Sequence, residues 1–424
     1  MRQAEFFSLR FGFTHKQAEW IKKFGIKELI QKSFKTPDTE PVPEWMEGAP
    51  KSLKEYMQVR KMSEEQKKEL VKEERRRSIL LQHWWIERMY TVEFPLREKM
   101  ILFWHNHFVS SYQKVKSSWL IYEQHALFRK HAFGNYKQLT REILYNNAML
   151  IYLDNRDNKV GKINENLSRE LLELFTLGTG NYSEKDIYEG ARILAGLLPG
   201  DGRGMFRPAL QDTGVKTYLG KTGNLSIEDM VEAIFNHPAC GEVLVRKFLK
   251  AFGSDLPPES KVKEYTAYFR VSGFEIKALF EKLVSDSWLL EQQGNIIKSP
   301  ISFLLQSAAL FGFNRLPVIP VINWLREQGM EIGNPPNVKG WVGGKSWLSS
   351  QILIQRVALI DFMASPNGLE KWNKRDAQMN KMANQESLEK LPEFKIERKG
   401  FTLGVKVRNR TELLNELSEQ LLLS

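Results

Sequence analysis

The chain carries one cysteine, Cys240, in 424 residues. A single thiol forms no intrachain disulfide and supplies no cysteine cluster for zinc or iron–sulfur binding. Long apolar runs are also missing, and no 18-residue stretch is apolar enough to span a bilayer. The first residues, M-R-Q-A-E-F-F-S-L-R-F-G-F, lack the uninterrupted apolar segment of a secretory leader. On that ground the expected compartment is the cytoplasm, or the periplasm or exterior if a leader precedes the sequence given. Glycine-rich phosphate cradles are absent too. Gly220-Lys221-Thr222 and Gly344-Lys345-Ser346 look like the end of a P-loop, but the upstream glycine is replaced by Val215 in the first and Lys339 in the second. No G-x-G-x-x-G stands in a strand–turn–helix context, and H-E-x-x-H and G-x-S-x-G do not occur. These absences predict no haem, flavin, nicotinamide or nucleoside triphosphate, and no cofactor is expected.

What is present is an ordinary globular composition, 42% hydrophobic and 27% charged, with 11 Trp and 25 Phe to fill a core. The 62 basic and 51 acidic residues give a formal charge of +11. That excess permits attraction to anionic partners but gives no ground for a nucleic-acid partner. Segments of 3.6-residue period dominate and two-residue alternation is scarce. The expected fold is therefore mainly α: a multi-helical globular fold with long loops and at most a small β-hairpin. We expect a helical core over residues 1–350 and a C-terminal lobe over 351–424, or one continuous domain. The lobe carries a short hairpin pattern near 394–407.

The densest stretch runs from residue 163 to 198. It reads as two helices joined by a glycine turn. Asn164 is the expected N-cap of the first, Gly178 and Gly180 end it, and Ser183 with Asp186 forms a capping box for the second. On a wheel of 100° per residue, Leu167, Leu171, Leu174 and Phe175 share a face. Glu165, Arg169 and Glu173 fall opposite, spaced for an ion-pair ladder, with Leu172 among them. Glu170 sits at the edge of the apolar stripe. A carboxylate there is either an ordinary rim charge or a half-buried group projecting into a polar site.

Other polar residues stand among aromatic ones. Pro95 is placed to start a helix, at its first position, that carries His105 and His107. Residues two apart on a helix point about 200° from each other, so these two histidines are not expected to share a metal ion. Asp154, Asn155, Asp157 and Asn158 form an oxygen-rich turn without EF-hand spacing. Asp212 and Lys216 lie in a loop or small hairpin, and Lys339 and Trp341 in a loop rich in Gly, Pro and Asn. If these stretches serve one site, the Asn164 turn, Asp212, Lys216 and Trp341 should line it, with His105 or His107 at its floor.

The same segments, F-F-S-L-R-F-G, P-L-R-E-K-M-I-L-F-W-H-N-H-F, A-M-L-I-Y-L-D-N, N-E-N-x-x-R-E-L-L-E-L-F-T-L-G, D-T-G-V-K-T-Y-L-G and P-P-N-V-K-G-W-V-G-G, resemble in order the bacterial family designated domain of unknown function 1800. One departure is Gln211, where that family usually has His before the Asp. The resemblance brings no established activity. It implies a partner, because relatives are often encoded beside sulfatase-like proteins of the family designated domain of unknown function 1501. Two functional readings stand. The first is a hydrolase-like enzyme for a polar, anionic or carbohydrate-like substrate. In it Glu170 is acid or base, and His105 or His107 is auxiliary. Arg169, Lys216 and Lys339 stabilise charge, and Asn164, Asp212 and Trp341 bind substrate. The second is a non-catalytic binding or scaffold protein working with that partner.

Overall fold

Helix Leu96–His107 runs through the middle of the core, and only Lys99 and Asn106 of its residues are not buried. Burying a helix on all sides requires that every charge in its first turn be paired inside, and three consecutive residues meet that requirement. Arg97 donates to the carbonyls of Phe34, Thr36 and Arg129 at 2.8–3.1 Å. Glu98 accepts from Arg129 at 2.6 and 2.8 Å and from Arg88 at 3.2 Å. The Lys99 ammonium donates to the carbonyls of Leu9, Arg10 and Gly12 at 2.8–2.9 Å. Those carbonyls end helix Gln3–Phe11 and have no partner within it. Pro95 lies one residue before this helix rather than at its first position.

The computed structural model describes residues 3–365, apart from 53, 54, 56, 57 and 60. The hairpin expected near 394–407, and the C-terminal lobe past residue 365, lie outside the described residues. Helix Glu64–Thr91 begins where Ser63 and Gln66 close a capping box. This helix and Ser118–Lys130 pack on one side of Leu96–His107. Glu242–Phe252 packs on another side, together with the helix that follows Asn166. Arg10, 1% exposed, ties the chain's start to this second side, donating to Gly253 O at 2.7 Å and Gln292 O at 2.8 Å. Phe11 stacks on Phe252 and meets Phe280 edge-on. One buried cluster runs from Ala4 to Met363.

The mainly α expectation is met. Among the described residues, strand is confined to two antiparallel ladders of two strands each. Leu197–Leu198 pairs with Met205–Phe206, and Lys216–Tyr218 pairs with Lys221–Gly223. The second is the small hairpin foreseen around Asp212. Its turn residues Leu219 and Gly220 both have positive φ, +47° and +83°, the twist a two-residue hairpin turn needs. No described helix is long and apolar enough to cross a membrane.

Candidate functional site

The helix after Asn164 changes gauge in its middle. Residues Asn166–Glu170 are α-helical, and Leu171–Thr176 form a π-helix in which Leu177 N donates to Leu172 O at 2.9 Å. Glu165, not Asn164, is the capping residue; Asn164 Oδ1 instead accepts from Asn166 N at 3.0 Å, a local turn just ahead of the helix. The gauge change corrects the wheel. Past Glu170 each residue turns through less than 100°, so Leu172, expected on the polar face, is fully buried. Glu173 likewise leaves the ladder. It accepts from Tyr182 OH at 3.2 Å, while Arg169 bridges Glu165 at 2.9 Å and Glu184 at 2.9 and 3.1 Å.

Glu170 stands at the junction between the two gauges. Among the described residues no hydrogen bond or ion pair reaches its carboxylate, although Glu165, Glu173 and Asp154 around it are all engaged. Burial raises its pKa first and the charge of Glu173 second, while Lys339 and Arg169 pull it down. The Tyr152 phenol is also raised, by burial and then by Glu170, which places that ring beside the carboxylate.

Two of the expected loops are fastened at this place. Asn106, the residue between the histidines, accepts from Trp341 N at 2.6 Å and donates to Trp341 O at 3.4 Å. Gly340, at φ +80°, lies so close that any Cβ would overlap the Asn106 side chain. Trp341 is thereby seated in the core at 5% exposure, and Lys339, two residues earlier, is exposed toward Glu170. Asp154 adopts φ +57°, accepts from Lys114 at 2.7 Å and lies 3.5 Å from the Asn166 amide nitrogen. Asn155 and Asn158 are wholly buried and donate to the carbonyls of Leu194, Leu197 and Ala191 at 2.8–3.2 Å. Beside this cluster opens a groove of about 570 Å³ whose lining includes Lys114, Tyr152, Arg326, Glu331 and Asn334. Asn334 Oδ1 fixes its wall, accepting from Ser111 Oγ and Gln113 N, both at 3.0 Å.

The two histidines diverge as helix geometry requires. His107 turns toward the π-helix. Its Nδ1 lies 3.3 Å from Lys247 Nζ and its Nε2 3.4 Å from Tyr136 OH. Lys247 donates onward to Leu174 O at 3.0 Å, and the Tyr136 hydroxyl donates to Phe175 O. Burial brings the Lys247 amine down to about 8, and burial with the neighbouring Lys247 charge keeps His107 well below its ordinary value. His105 turns the other way, against Trp85, His125 and Phe128, and burial alone pushes it down to about 3. No group of three or more His, Cys, Asp or Glu side chains able to hold a metal ion occurs among the described residues.

Asp212 and Lys216 form a cluster of their own. Arg192 grips Asp212 at 2.8 and 3.1 Å, and the Lys216 ammonium, at the base of the hairpin, donates to Asp212 O, Gly214 O and Asn224 Oδ1. All three of its protons are used within that loop, which is clamped onto helix Glu184–Ile193. No hydrogen bond or ion pair joins this cluster to Glu170 or Lys339 among the described residues. The arrangement therefore gathers Asn106, Asp154, Asn166, Glu170, Lys339 and Trp341 and leaves Asp212 and Lys216 apart. Lys247, Tyr152 and Asn106 had not been singled out. Lys247 lies in an amphipathic helix whose period marks it as nothing unusual, and 140 residues separate it from His107.

No curated protein and no solved structure matches this chain. The family model described as Protein of unknown function (DUF1800) matches residues 7–424, so the chain belongs to the DUF1800 family.

Proposed function

We propose that the protein is a hydrolase-like enzyme acting on a polar, anionic substrate, with Glu170 as its general base. The observation that carries this reading is the Glu170 carboxylate, which no hydrogen bond or ion pair reaches among the described residues while the acidic groups Glu165, Glu173 and Asp154 are all engaged, beside a polar groove. A base works best when its pKa approaches the working pH, and burial moves Glu170 in that direction. Lys339, exposed and coupled to Glu170, is the group that meets an incoming negative charge. Tyr152 supplies a phenol at the same edge. His107 acts at a distance by holding Lys247, which fixes the Leu174 carbonyl one turn past Glu170. Arg169 is committed to two carboxylates and Trp341 to the core, so both position the site rather than meet substrate.

The test assays purified protein on chromogenic phosphate, sulfate, carboxylate-ester and glycoside substrates, with Glu170→Gln and Glu173→Gln alongside. Turnover of one class should fall by roughly 10²–10⁴-fold in Glu170→Gln and little in Glu173→Gln, both remaining folded. Equal rates in both variants would refute the role. The alternative is a non-catalytic scaffold for a sulfatase-like partner of the domain of unknown function 1501 family. It draws support from Val342, 83% exposed at the loop beside Trp341. It predicts no turnover of any class and capture of such a partner through that loop, lost in Val342→Asp.

A further inference from the structure

A cleft of about 810 Å³ contains none of the residues discussed above as the candidate site. It opens between helices Ser118–Lys130 and Tyr136–Leu144, with the strap at residues 38–42 on one side and Arg203 on the other. Its volume falls within the range of about 300–1,000 Å³ usual for ligand sites.

Three observations limit what fits there. The first is aromatic. Trp84, Trp119, Tyr122 and Tyr145 all line the cleft, and Trp119 and Tyr145 are only partly buried. Arg203 lies 4.1 Å from the Tyr145 ring centre and holds that end of the cleft. The second is charge. Four carboxyl groups line it: Asp38, Glu40, Glu123 and Glu142. Four cations answer them: Arg129, Lys130, Arg141 and Arg203. No sign prevails, so neither a polyanion nor a polycation is favoured. The third is hydrogen-bonding capacity left over. His125, 2% exposed, lines the cleft with neither ring nitrogen partnered, and Arg141 Nε also lacks a hydrogen-bond partner.

We propose that this cleft binds a neutral, polyhydroxylated ligand, a short sugar chain, whose apolar ring faces lie on Trp119 and Tyr145 while its hydroxyls bond to the carboxyl, guanidinium and imidazole groups. Sugars combine an apolar C–H face with a rim of hydroxyls that both donate and accept, and a wall mixing aromatic rings with charge-balanced polar groups matches that combination. Burial raises the Glu142 pKa, but His131 and Lys130 together outweigh it and lower the value, so the group is held ionised and accepts only. Burial brings Glu123 up to about 7, so near neutrality it donates as well as accepts. The inference does not rest on the hydrolase reading, and the two sites share no residue.

The experiment is calorimetric titration of the full chain with cellohexaose, maltohexaose and chitohexaose, with a heparin hexasaccharide and an acidic peptide as charged probes. Trp119→Ala and Tyr145→Ala are compared with wild type, and circular dichroism confirms that each folds. At least one neutral hexasaccharide should bind, and each substitution should weaken it about tenfold or more. No binding of any neutral hexasaccharide, tighter binding of a charged probe, or unchanged affinity in both folded variants would overturn the proposal. Should Trp119→Ala fail to fold, Trp119→Phe replaces it, with a smaller loss expected and an unchanged affinity counting against the proposal.

Discussion

Glu123→Gln gives a quantitative test of how deeply the cleft withdraws a carboxyl group from water. Burial raises the Glu123 pKa from 4.5 to about 7, and the Trp119 indole beside it opposes the shift only in part. The folded chain therefore keeps a proton that the unfolded chain releases as pH climbs between those values. Stability from this group is fully present below about 4.5 and is lost as pH rises through about 7. At about 1.36 kcal/mol per pH unit the ceiling is about 3.4 kcal/mol. The side chain is only half-buried, and screening by water lowers this to about 2 kcal/mol. Glutamine has the shape of the protonated acid and no titration. Urea unfolding of both chains at pH 4, 5, 6, 7 and 8 should show nearly equal stability at pH 4. The variant should then gain a growing advantage, reaching about 2 kcal/mol at pH 8. A difference that does not change with pH, or a wild type that is the more stable chain at pH 8, refutes the reasoning.

Two further outcomes follow from single contacts. Lys99→Met leaves the carbonyls of Leu9, Arg10 and Gly12 without their donor, and even after relief of the buried charge it should lower unfolding stability by about 2–4 kcal/mol in urea titration. Gly340→Ala puts a methyl group against Asn106 at a φ of +80°, so the loop should lift and Trp341 fluorescence shift to the red, with a loss of about 1–3 kcal/mol; an unshifted emission maximum would show that the loop tolerates the residue.

Helix starts were readable where a capping box closes, and misread by one residue at Asn164 and Pro95. Ser183 with Asp186 closes a capping box within four residues, and that helix starts where those residues predict. Gly178 and Gly180 take positive φ as helix terminators do. The divergence of His105 and His107 followed from geometry alone. The π-helix was not readable, because a wheel assumes one gauge throughout and nothing in L-L-E-L-F-T announces a wider turn. For that reason Leu172 was assigned to the wrong side and Glu173 to a ladder it does not join, while Glu170, before the change, kept its place at the apolar edge. The convergence on Asn106 joins residues 235 apart, and only the density of Asn, Gly and Trp in the 337–347 loop hinted at it. Lys216 shows the opposite case, a lysine whose charge reads as available in a sequence and is spent on its own loop's carbonyls in space.

The wide turn after Glu170 also has a meaning in terms of descent. A π-turn is what an α-helix becomes when it accommodates one residue more than its hydrogen-bond spacing allows. Here the surplus is absorbed between two faces that are both anchored: Glu165 and Arg169 upstream, and the Leu174 and Phe175 carbonyls held by Lys247 and Tyr136 downstream. Neither half of the helix is at liberty to rotate and dissolve the excess. An ancestral insertion in this segment would thus have been trapped rather than relaxed, and a length change among residues 171–176 would show in a lineage as a coordinated change at positions 136 and 247.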